Sequence, residues 1–155
     1  MWIEKAAQSP KLVRHVARNL REWDRFEIFA TRSDDDPDAL AAAACATGPI
    51  AWVAGLDTTP IAAFGCAPMW SGVWSMWLFA TDEFGRIGIS VTRLVVRSII
   101  PMMVQAGAHR LEARSMEGHT NAQAWLEVIG ASREGTLRGY GRDGQDFHVY
   151  TWPCA

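Results

Sequence analysis

The chain has 155 residues; 49% of them are apolar and 21% charged, and 15 Lys and Arg against 17 Asp and Glu leave a net charge of −2. This composition predicts one soluble domain over residues 1–155 and excludes a disordered chain, which has too few apolar side chains to form a core. The small net charge argues against nucleic acid as a partner, because nucleic-acid binders carry a basic surface that neutralises phosphates.

The three cysteines are Cys45, Cys66 and Cys154, with no Cys-x-x-Cys pair among them. An odd and widely spaced set excludes a closed disulfide framework and a zinc knuckle, and it favours a reducing compartment. We expect Cys66 to pack as a small hydrophobic residue. A nucleophilic Cys66 thiol is the alternative.

Two segments bear on membrane targeting. Residues 1–5 lead into a polar helix rather than an apolar stretch, so no signal peptide is expected. Residues 39–81 contain a single charged side chain, Asp57, but Pro49, Pro60 and Pro68 interrupt them. We therefore expect this segment to form buried sheet and not a membrane span.

The first fifty residues predict one strand and two helices. A short strand covers residues 1–6, and a helix begins at Ser9-Pro10, where a capping residue precedes a proline in the first helical position. Apolar residues at helical spacing extend this helix to residue 29. An alanine-rich second helix follows Asp36-Pro37 and ends at Gly48.

After Gly48 the apolar residues take the spacing of strands. Residues 50–56 and 61–66 predict a β-hairpin, with its turn at residues 57–60. A third strand over residues 73–81 is apolar on both faces. We therefore expect it to lie at the centre of a sheet that helices cover on both sides.

The rest of the chain predicts two helices and three strands. They are a helix over 87–106, a strand over 109–115, a helix from Thr120 or Asn121 to Gly130, and strands over 136–140 and 147–152. Pro101 lies inside the first of these helices, where it removes a backbone donor and should kink or split the helix. Asp143-Gly144 predicts a hairpin between the last two strands.

The last third of the chain resembles the GNAT (Gcn5-related N-acetyltransferase) family. Members carry an Asn-x-x-Ala helix that ends in Leu-Gly-Phe, followed by a hairpin whose turn contains Asp-Gly. The corresponding residues here are 121–131, 135–138, Asp143-Gly144 and Asp146. The resemblance implies an α/β domain in which a central twisted mixed β-sheet carries helices on both faces.

A narrower resemblance covers most of the chain. It is to the GNAT-like internal virion proteins of short-tailed phages, through residues 19–21, Asp24, Glu27, 60–65, 77–81, Asn121, 125–126 and Gly130. It implies a virion-associated or assembly role with other virion proteins as partners. The chain would then lie in the host cytoplasm during assembly, or inside or attached to the particle. Ordinary charge pairing on a helix surface also explains Asp24 and Glu27.

GNAT enzymes hold the pyrophosphate of acetyl-CoA at a helix N-terminus, where free backbone N–H groups favour anions. Their Arg/Gln-x-x-Gly-x-Gly/Ala sequence corresponds here to Gly85-Arg-Ile-Gly-Ile-Ser90, so Gly88 matches while Gly85 and Ser90 depart from the pattern. A glycine turn that only starts a helix explains the same residues. If acetyl-CoA binds, the resemblance implies that it contacts Phe79, Ala80, Thr81, Arg86, Gly88, Ser90 and Asn121.

Acyl transfer to an amine needs a base for the amine proton and an acid for the leaving thiolate. Many GNAT enzymes place a tyrosine acid four residues before the glycine that corresponds to Gly130, and this chain has Leu126 there. The remaining candidates are Glu83, Glu112 and Tyr140, and the sequence singles out none of them as catalytic.

The histidines offer no clear site in the sequence. We expect His109 and His119, at the two ends of a predicted strand, to be solvated. His148 alternates with apolar neighbours, so we expect it to face solvent or another chain. No His, Asp or Glu cluster has metal-ligand spacing, and no metal site is predicted.

Eight tryptophans are an unusual number for this length. Trp74 and Trp77 fit the core, because they alternate across a strand that is covered on both faces. Trp52 and Trp70 are candidates for a tryptophan-rich contact surface, since aromatic residues are enriched at interfaces. Self-association through that surface is therefore one expected kind of partnership.

Three hypotheses follow. The leading one is a virion-associated GNAT-like protein that has lost much of the acyl-transfer site and needs no cofactor, because Leu126, Gly85 and Ser90 stand where the enzymes use other residues. The alternative is an active acetyl-CoA-dependent N-acyltransferase. The third is an oligomeric interaction module.

Overall fold

The computed structural model describes residues 1–154, and seven strands of that part form one sheet. The strands are β1 (Trp2–Lys5), β2 (Ala51–Leu56), β3 (Thr59–Trp70), β4 (Val73–Ala80), β5 (Arg110–Met116), β6 (Ser132–Leu137) and β7 (Phe147–Pro153). The helices are α1 (Pro10–Arg18), α2 (Glu22–Ala30), α3 (Pro37–Ala46), α4 (Gly88–Leu94), α5 (Ile100–Gln105) and α6 (Thr120–Val128). A 3₁₀ turn, Asp82–Arg86, precedes α4.

The sheet is mixed, with the strand order β1-β2-β3-β4-β5-β7-β6. Only β4 and β5 run parallel among its paired strands. A parallel pair needs a crossover connection, and the helical segment from α4 to α5 supplies it. The predicted mixed α/β sheet is confirmed, and residues 73–81 correspond to its central strand, β4.

Helices cover both faces of the sheet, as the resemblance implied. One core lies between the sheet and α4–α6, and the other lies between the sheet and α1–α3. Neighbouring residues of β4 enter opposite cores: Leu78 packs on the α4–α6 side and Phe79 on the α1–α3 side. This alternation explains why the strand is apolar on both faces.

The single helix predicted over residues 10–29 is wrong, because the structure has two helices there. The Asn19 side chain donates to the His15 carbonyl at 2.8 Å and closes α1. The backbone N–H of Arg21 donates to the carbonyl of Ala80 at 2.9 Å, a contact with β4 that a continuous helix could not make. The apolar spacing continues through this break, so the local pattern does not reveal it.

The helix predicted over residues 87–106 is continuous but irregular close to Pro101. Residues from Gly88 to Gln105 form one continuous helical segment, and Val95–Ile99 in its middle is π-helical. Pro101 follows that segment directly, in the first turn of α5. Because proline has no backbone N–H, one helix carbonyl loses its usual donor. The π-helical turn next to Pro101 accommodates this loss without ending the helix.

Two C-terminal predictions are wrong in detail. The residue that caps α6 is His119 rather than Thr120 or Asn121. β6 begins and ends earlier than residues 136–140, so Asp143-Gly144 lies inside a longer loop rather than in a tight hairpin turn. Asp146 shapes that loop, because its Oδ1 accepts the N–H of Gly139 at 2.8 Å.

Candidate active site

β4 and β5 separate after a short paired stretch. Their pairing ends at Ser75 and Glu112, and the two strands diverge from there. Thr81 donates its N–H to the Ile61 carbonyl, so odd-numbered residues of β4 bond to β3. Because successive residues direct their backbone groups to opposite neighbours, Leu78 turns its N–H and C=O toward an open cleft.

A cavity of about 420 Å³ fills this split. Its wall on the α4–α6 side includes Met76, Leu78, Phe84, Ile99, Ser115, Trp125 and Leu126. Its wall on the α2 side includes Glu27, Ile28, Thr31, Trp77, Arg114 and Tyr140. The cavity therefore passes through the sheet from one helical layer to the other.

Two carboxylates of α2 bridge the open end of the split. Asp24 Oδ2 accepts the backbone N–H of Ala80, at the end of β4, at 2.8 Å. Glu27 Oε1 accepts the backbone N–H of Met116, at the end of β5, at 2.6 Å. Asp24 and Glu27 lie one turn apart, so this single helix holds the ends of both diverging strands.

His119 lies between these two carboxylates. Its Nε2 is 3.6 Å from Asp24 Oδ1 and its Nδ1 is 3.2 Å from Glu27 Oε2. The side chain of Trp23 stacks on the imidazole, with 5.7 Å between ring centroids. The residue is 5% exposed, so the prediction of a solvated His119 is wrong: α2 packs over the strand end that carries it.

Asp24 is also paired with Arg21, whose Nε and Nη2 donate to both carboxylate oxygens at 2.8–3.1 Å. Burial raises the pKa of the Asp24 carboxyl, whereas the Arg21 guanidinium and the Ala80 amide act in the opposite direction. The cavity thus borders a compact set of carboxylate, imidazole and guanidinium groups, a combination that can accept and stabilise a proton.

The segment before α4 has free backbone donors. Among the described residues, the N–H groups of Gly88, Ile89 and Ser90 have no hydrogen-bond acceptor. The first N–H groups of a helix are suited to bind a phosphate. Arg86, in contrast, pairs with Glu83 and lies 3.7 Å from Asp57, so it is already neutralised by exposed carboxylates.

The other predicted cofactor residues fall in different places. Asn121 lines the cavity. Phe79 packs in the α1–α3 core, and Thr81 is buried and bonded to β3. The backbone of Ala80 is occupied by Arg21 and Asp24, so Leu78 is the β4 residue that presents free backbone groups to the cleft.

The three catalytic candidates also differ in position. Glu83 is exposed and bonded to Arg86. Glu112 is buried between Arg110 and Arg114, which donate to its two oxygens at 2.9 and 2.5 Å. Tyr140, which is 44% exposed, lines the cavity. His119 and the roles of Asp24 and Glu27 were missed, because their contacts join distant parts of the chain.

The burial of several residues that do not line the cavity agrees with some of the sequence predictions and contradicts others. His148 is buried, with Nδ1 3.0 Å from the Thr136 hydroxyl, so the prediction that it faces solvent is wrong. Burial raises the pKa of the Cys66 thiol to about 12, which confirms packing rather than nucleophilic chemistry. Trp70 is 65% exposed, whereas Trp52 packs against the core.

Residues 1–154 contain no group of three or more His, Cys, Asp or Glu arranged to hold a metal ion. Within the same residues, no helix has both the length and the apolar character needed to span a bilayer.

The sequence matches no protein-family model and no curated protein. Solved structures do match it over nearly its whole length. A GNAT-family acetyltransferase from Bacillus anthracis shares 13% identity with a TM-score of 0.70, and the match covers 98% of this chain and 93% of that one. The chain has the GNAT fold.

Two further structures with the GNAT fold are similar to this chain. For the ribosomal-protein-alanine N-acetyltransferase from Brucella melitensis, the TM-score is 0.73 at 14% identity, with 99% of each chain covered. For the ribosomal-protein-S18-alanine N-acetyltransferase from Escherichia coli, it is 0.70 at 13% identity, with 99% of this chain and 94% of that one covered. At these identities the likeness is one of fold.

Proposed function

We propose that this GNAT-fold chain is an acetyl-CoA-dependent N-acyltransferase. The acyl donor binds on the α4–α6 side of the split, and the amine acceptor binds on the α2 side. The observation that carries the proposal is the buried His119, held between Asp24 and Glu27 beside a cavity that crosses the sheet. That the similar solved structures are named acetyltransferases supports it further.

Acetyl-CoA fits the groups that the chain presents, and it supplies an acyl group activated as a thioester. The free N–H groups of Gly88, Ile89 and Ser90 would hold its phosphates. The exposed backbone edge at Leu78 would hydrogen-bond the amides of its extended arm, as an added strand does. Departures from the family pattern at Gly85 and Ser90 leave these backbone donors in place.

His119 is the proposed base. It accepts the proton that the acceptor amine loses when the new N–C bond forms and the C–S bond breaks, and the charged imidazolium is stabilised by Asp24 and Glu27. Leu126 supplies no proton. The Ser115 hydroxyl, buried on the α4–α6 side without a partner in residues 1–154, is the proposed hydrogen-bond donor to the leaving sulfur.

Calorimetric titration tests donor binding. We expect saturable binding of acetyl-CoA to the wild-type chain and its loss in Ser90→Glu, which places a carboxylate beside the free amides. Ser98→Glu is the matched control, because Ser98 is equally exposed on the same helical segment but lies beyond its first turns. Absence of saturable heat in the wild type would contradict the proposal.

Release of the free thiol of CoA in the presence of a panel of amines tests the base. We expect His119→Gln to lower the transfer rate about 10²–10⁴-fold, the usual contribution of general base catalysis. Its affinity for acetyl-CoA should not change, because the proposed phosphate donors are the backbone N–H groups of Gly88, Ile89 and Ser90. An unchanged transfer rate would exclude His119 as the base.

A virion-associated or assembly role is the second candidate. What favours it is that Arg21, Asp24 and Glu27, which carry much of the resemblance to phage internal virion proteins, form one connected group around the ends of β4 and β5. The chain would act in the host cytoplasm during assembly or in the particle. Mass spectrometry of purified particles should then detect it in constant proportion to the capsid protein, and its absence would overturn this role.

A further inference from the structure

The buried polar atoms without partners gather at the cavity. Five such side-chain atoms occur among residues 1–154, and four of them belong to residues of the cavity wall: Trp77 Nε1, Arg114 Nε, Ser115 Oγ and His119 Nδ1. Of these, His119 Nδ1 lies 3.2 Å from Glu27 Oε2 but makes no hydrogen bond to it. Buried polar groups in folded proteins are nearly always paired. Unpaired polar groups on residues that line one cavity are the groups with which a bound ligand would form hydrogen bonds.

Two of these atoms belong to residues on the α2 side of the split, where the acyl acceptor is proposed to bind. Trp77 packs in the core on the α1–α3 side, stacked on Phe79 with 5.6 Å between ring centroids. Arg114 shares a face of β5 with Met116, which packs against Ala30 of α2. An indole N–H and a guanidinium Nε–H can only donate hydrogen bonds. Their missing partner must therefore be an acceptor, such as an oxygen.

The charges around these two donors indicate what kind of oxygen would accept their hydrogen bonds. Arg114 gives its Nη2 to Glu112 and lies over the ring of Tyr140, which leaves the Nε donor free. On the same side of the cavity, Glu27 and His119 offer a carboxylate and an imidazole to an amine. The α2 side thus combines hydrogen-bond donors suited to an anionic oxygen with groups suited to an amine.

We propose that the acyl acceptor is a small free amino acid. Its carboxylate accepts hydrogen bonds from Trp77 Nε1 and Arg114 Nε, and its amine faces Glu27 and His119. The inference rests on the proposed function. The neutral amine nitrogen bonds to the acyl carbon, the C–S bond breaks with its electron pair leaving on sulfur, and the amine proton passes to His119. The products are an N-acyl amino acid and the CoA thiolate, and His119 then gives its proton to solvent.

Matched acceptors test this proposal by kinetics. We expect kcat/KM for a free amino acid, such as alanine, to exceed that for its amide by at least about tenfold, the size of one charge-assisted hydrogen bond. Trp77→Phe should raise KM for the amino acid about tenfold and leave that for the amide unchanged. Trp74→Phe, on the opposite face of the same strand, is the control and should change neither. Equal kcat/KM for the amino acid, its amide and a peptide N-terminus would overturn the proposal.

Direct binding separates this inference from the proposed function. In the NMR spectrum of the chain without acetyl-CoA, alanine should shift the Trp77 indole N–H resonance, which Trp77→Phe identifies by its disappearance. Alaninamide should leave that resonance in place. If acetyl-CoA fails to bind but the shift occurs, the acyltransferase proposal fails and the carboxylate site stands. If no shift occurs at saturating alanine, or if alaninamide causes the same shift, the carboxylate site is excluded.

Discussion

The two sides of the split are built differently. On the α2 side, buried or partly buried carboxylates bond to the strand ends, as Asp24 does to Ala80 and Glu27 to Met116. On the α4–α6 side the wall is mainly apolar, and the free donors are backbone amides at the exposed start of α4. Side-chain identity therefore matters most on the α2 side, and backbone geometry on the other.

This difference changes the meaning of the family pattern. Gly85 and Ser90 depart from that pattern, yet the N–H groups of residues 88–90 remain free, because a backbone donor does not depend on the side chain. A proton acceptor, in contrast, exists only if the right side chain is present. Leu126, at the position where many GNAT enzymes have a tyrosine, is therefore the more informative departure.

The largest expected loss of stability comes from a substitution on the α2 side. Asp24→Ala leaves the Arg21 guanidinium and the Ala80 N–H without their partner, and it should lower the free energy of unfolding by about 3 kcal/mol. Urea denaturation measures this change. The control is Asp38→Ala, whose carboxylate pairs with Arg18 at the exposed surface, where ion pairs stabilise little, so its loss should have a much smaller effect. Equal losses in both variants would show that Asp24 is not structurally special.

The next effect concerns the apolar side. Val91 lies on the buried face of α4 and is fully buried, so Val91→Ala should lower the free energy of unfolding by about 2 kcal/mol through lost burial and a residual cavity. Val96→Ala removes the same atoms from an exposed position of the same helical segment and should change stability little. A similar loss at both positions would mean that this helix is not anchored by its buried face.

A smaller effect is expected at the second carboxylate. Glu27→Gln removes the charge that holds the Met116 N–H and should lower the free energy of unfolding by about 1 kcal/mol. Hydrogen exchange at the Met116 amide should become faster, while Glu22→Gln, at the exposed start of α2, should leave that exchange unchanged. Unchanged exchange in Glu27→Gln would argue that Glu27 does not hold the end of β5.

The smallest effect is a pH dependence. Because burial raises the pKa of Asp24, the folded state holds this proton more tightly than the unfolded state does. Its contribution to stability is present below the ordinary Asp pKa and is lost as pH rises through the raised value. Asp38, Glu134 and Asp146, with lowered pKa values, act in the opposite direction.

Comparison with Asp24→Asn isolates the contribution of the Asp24 carboxyl to the pH dependence of the free energy of unfolding. The other carboxylates contribute equally to both proteins, so they cancel in the difference between the two free energies of unfolding. That difference, wild type minus Asp24→Asn, should decrease as pH rises from about 4 toward neutrality. A difference that is constant over this range would contradict a raised Asp24 pKa.

Much of the architecture could be predicted from local patterns. The alternation in β4 indicated a central strand, and Pro101 indicated a disturbed helix, because each signal depends on neighbouring residues. The break between α1 and α2 could not be predicted in this way, since the contact that causes it joins Arg21 to Ala80. The candidate site was predicted in part: Asn121 and Tyr140 lie at the cavity, whereas Phe79 lies in the core.

Apart from the break between α1 and α2, the sequence alone determined the order of strands and helices along the chain. It also determined the two apolar faces of β4 and the glycine turn before α4, because hydrophobic period and turn chemistry act over a few residues. Only the tertiary structure decided that His119 lies between Asp24 and Glu27. Asp24 meets Ala80 across 56 residues and Glu27 meets Met116 across 89. No local pattern predicts contacts between residues so far apart in the sequence, since these contacts form only when α2 packs across the two diverging strands.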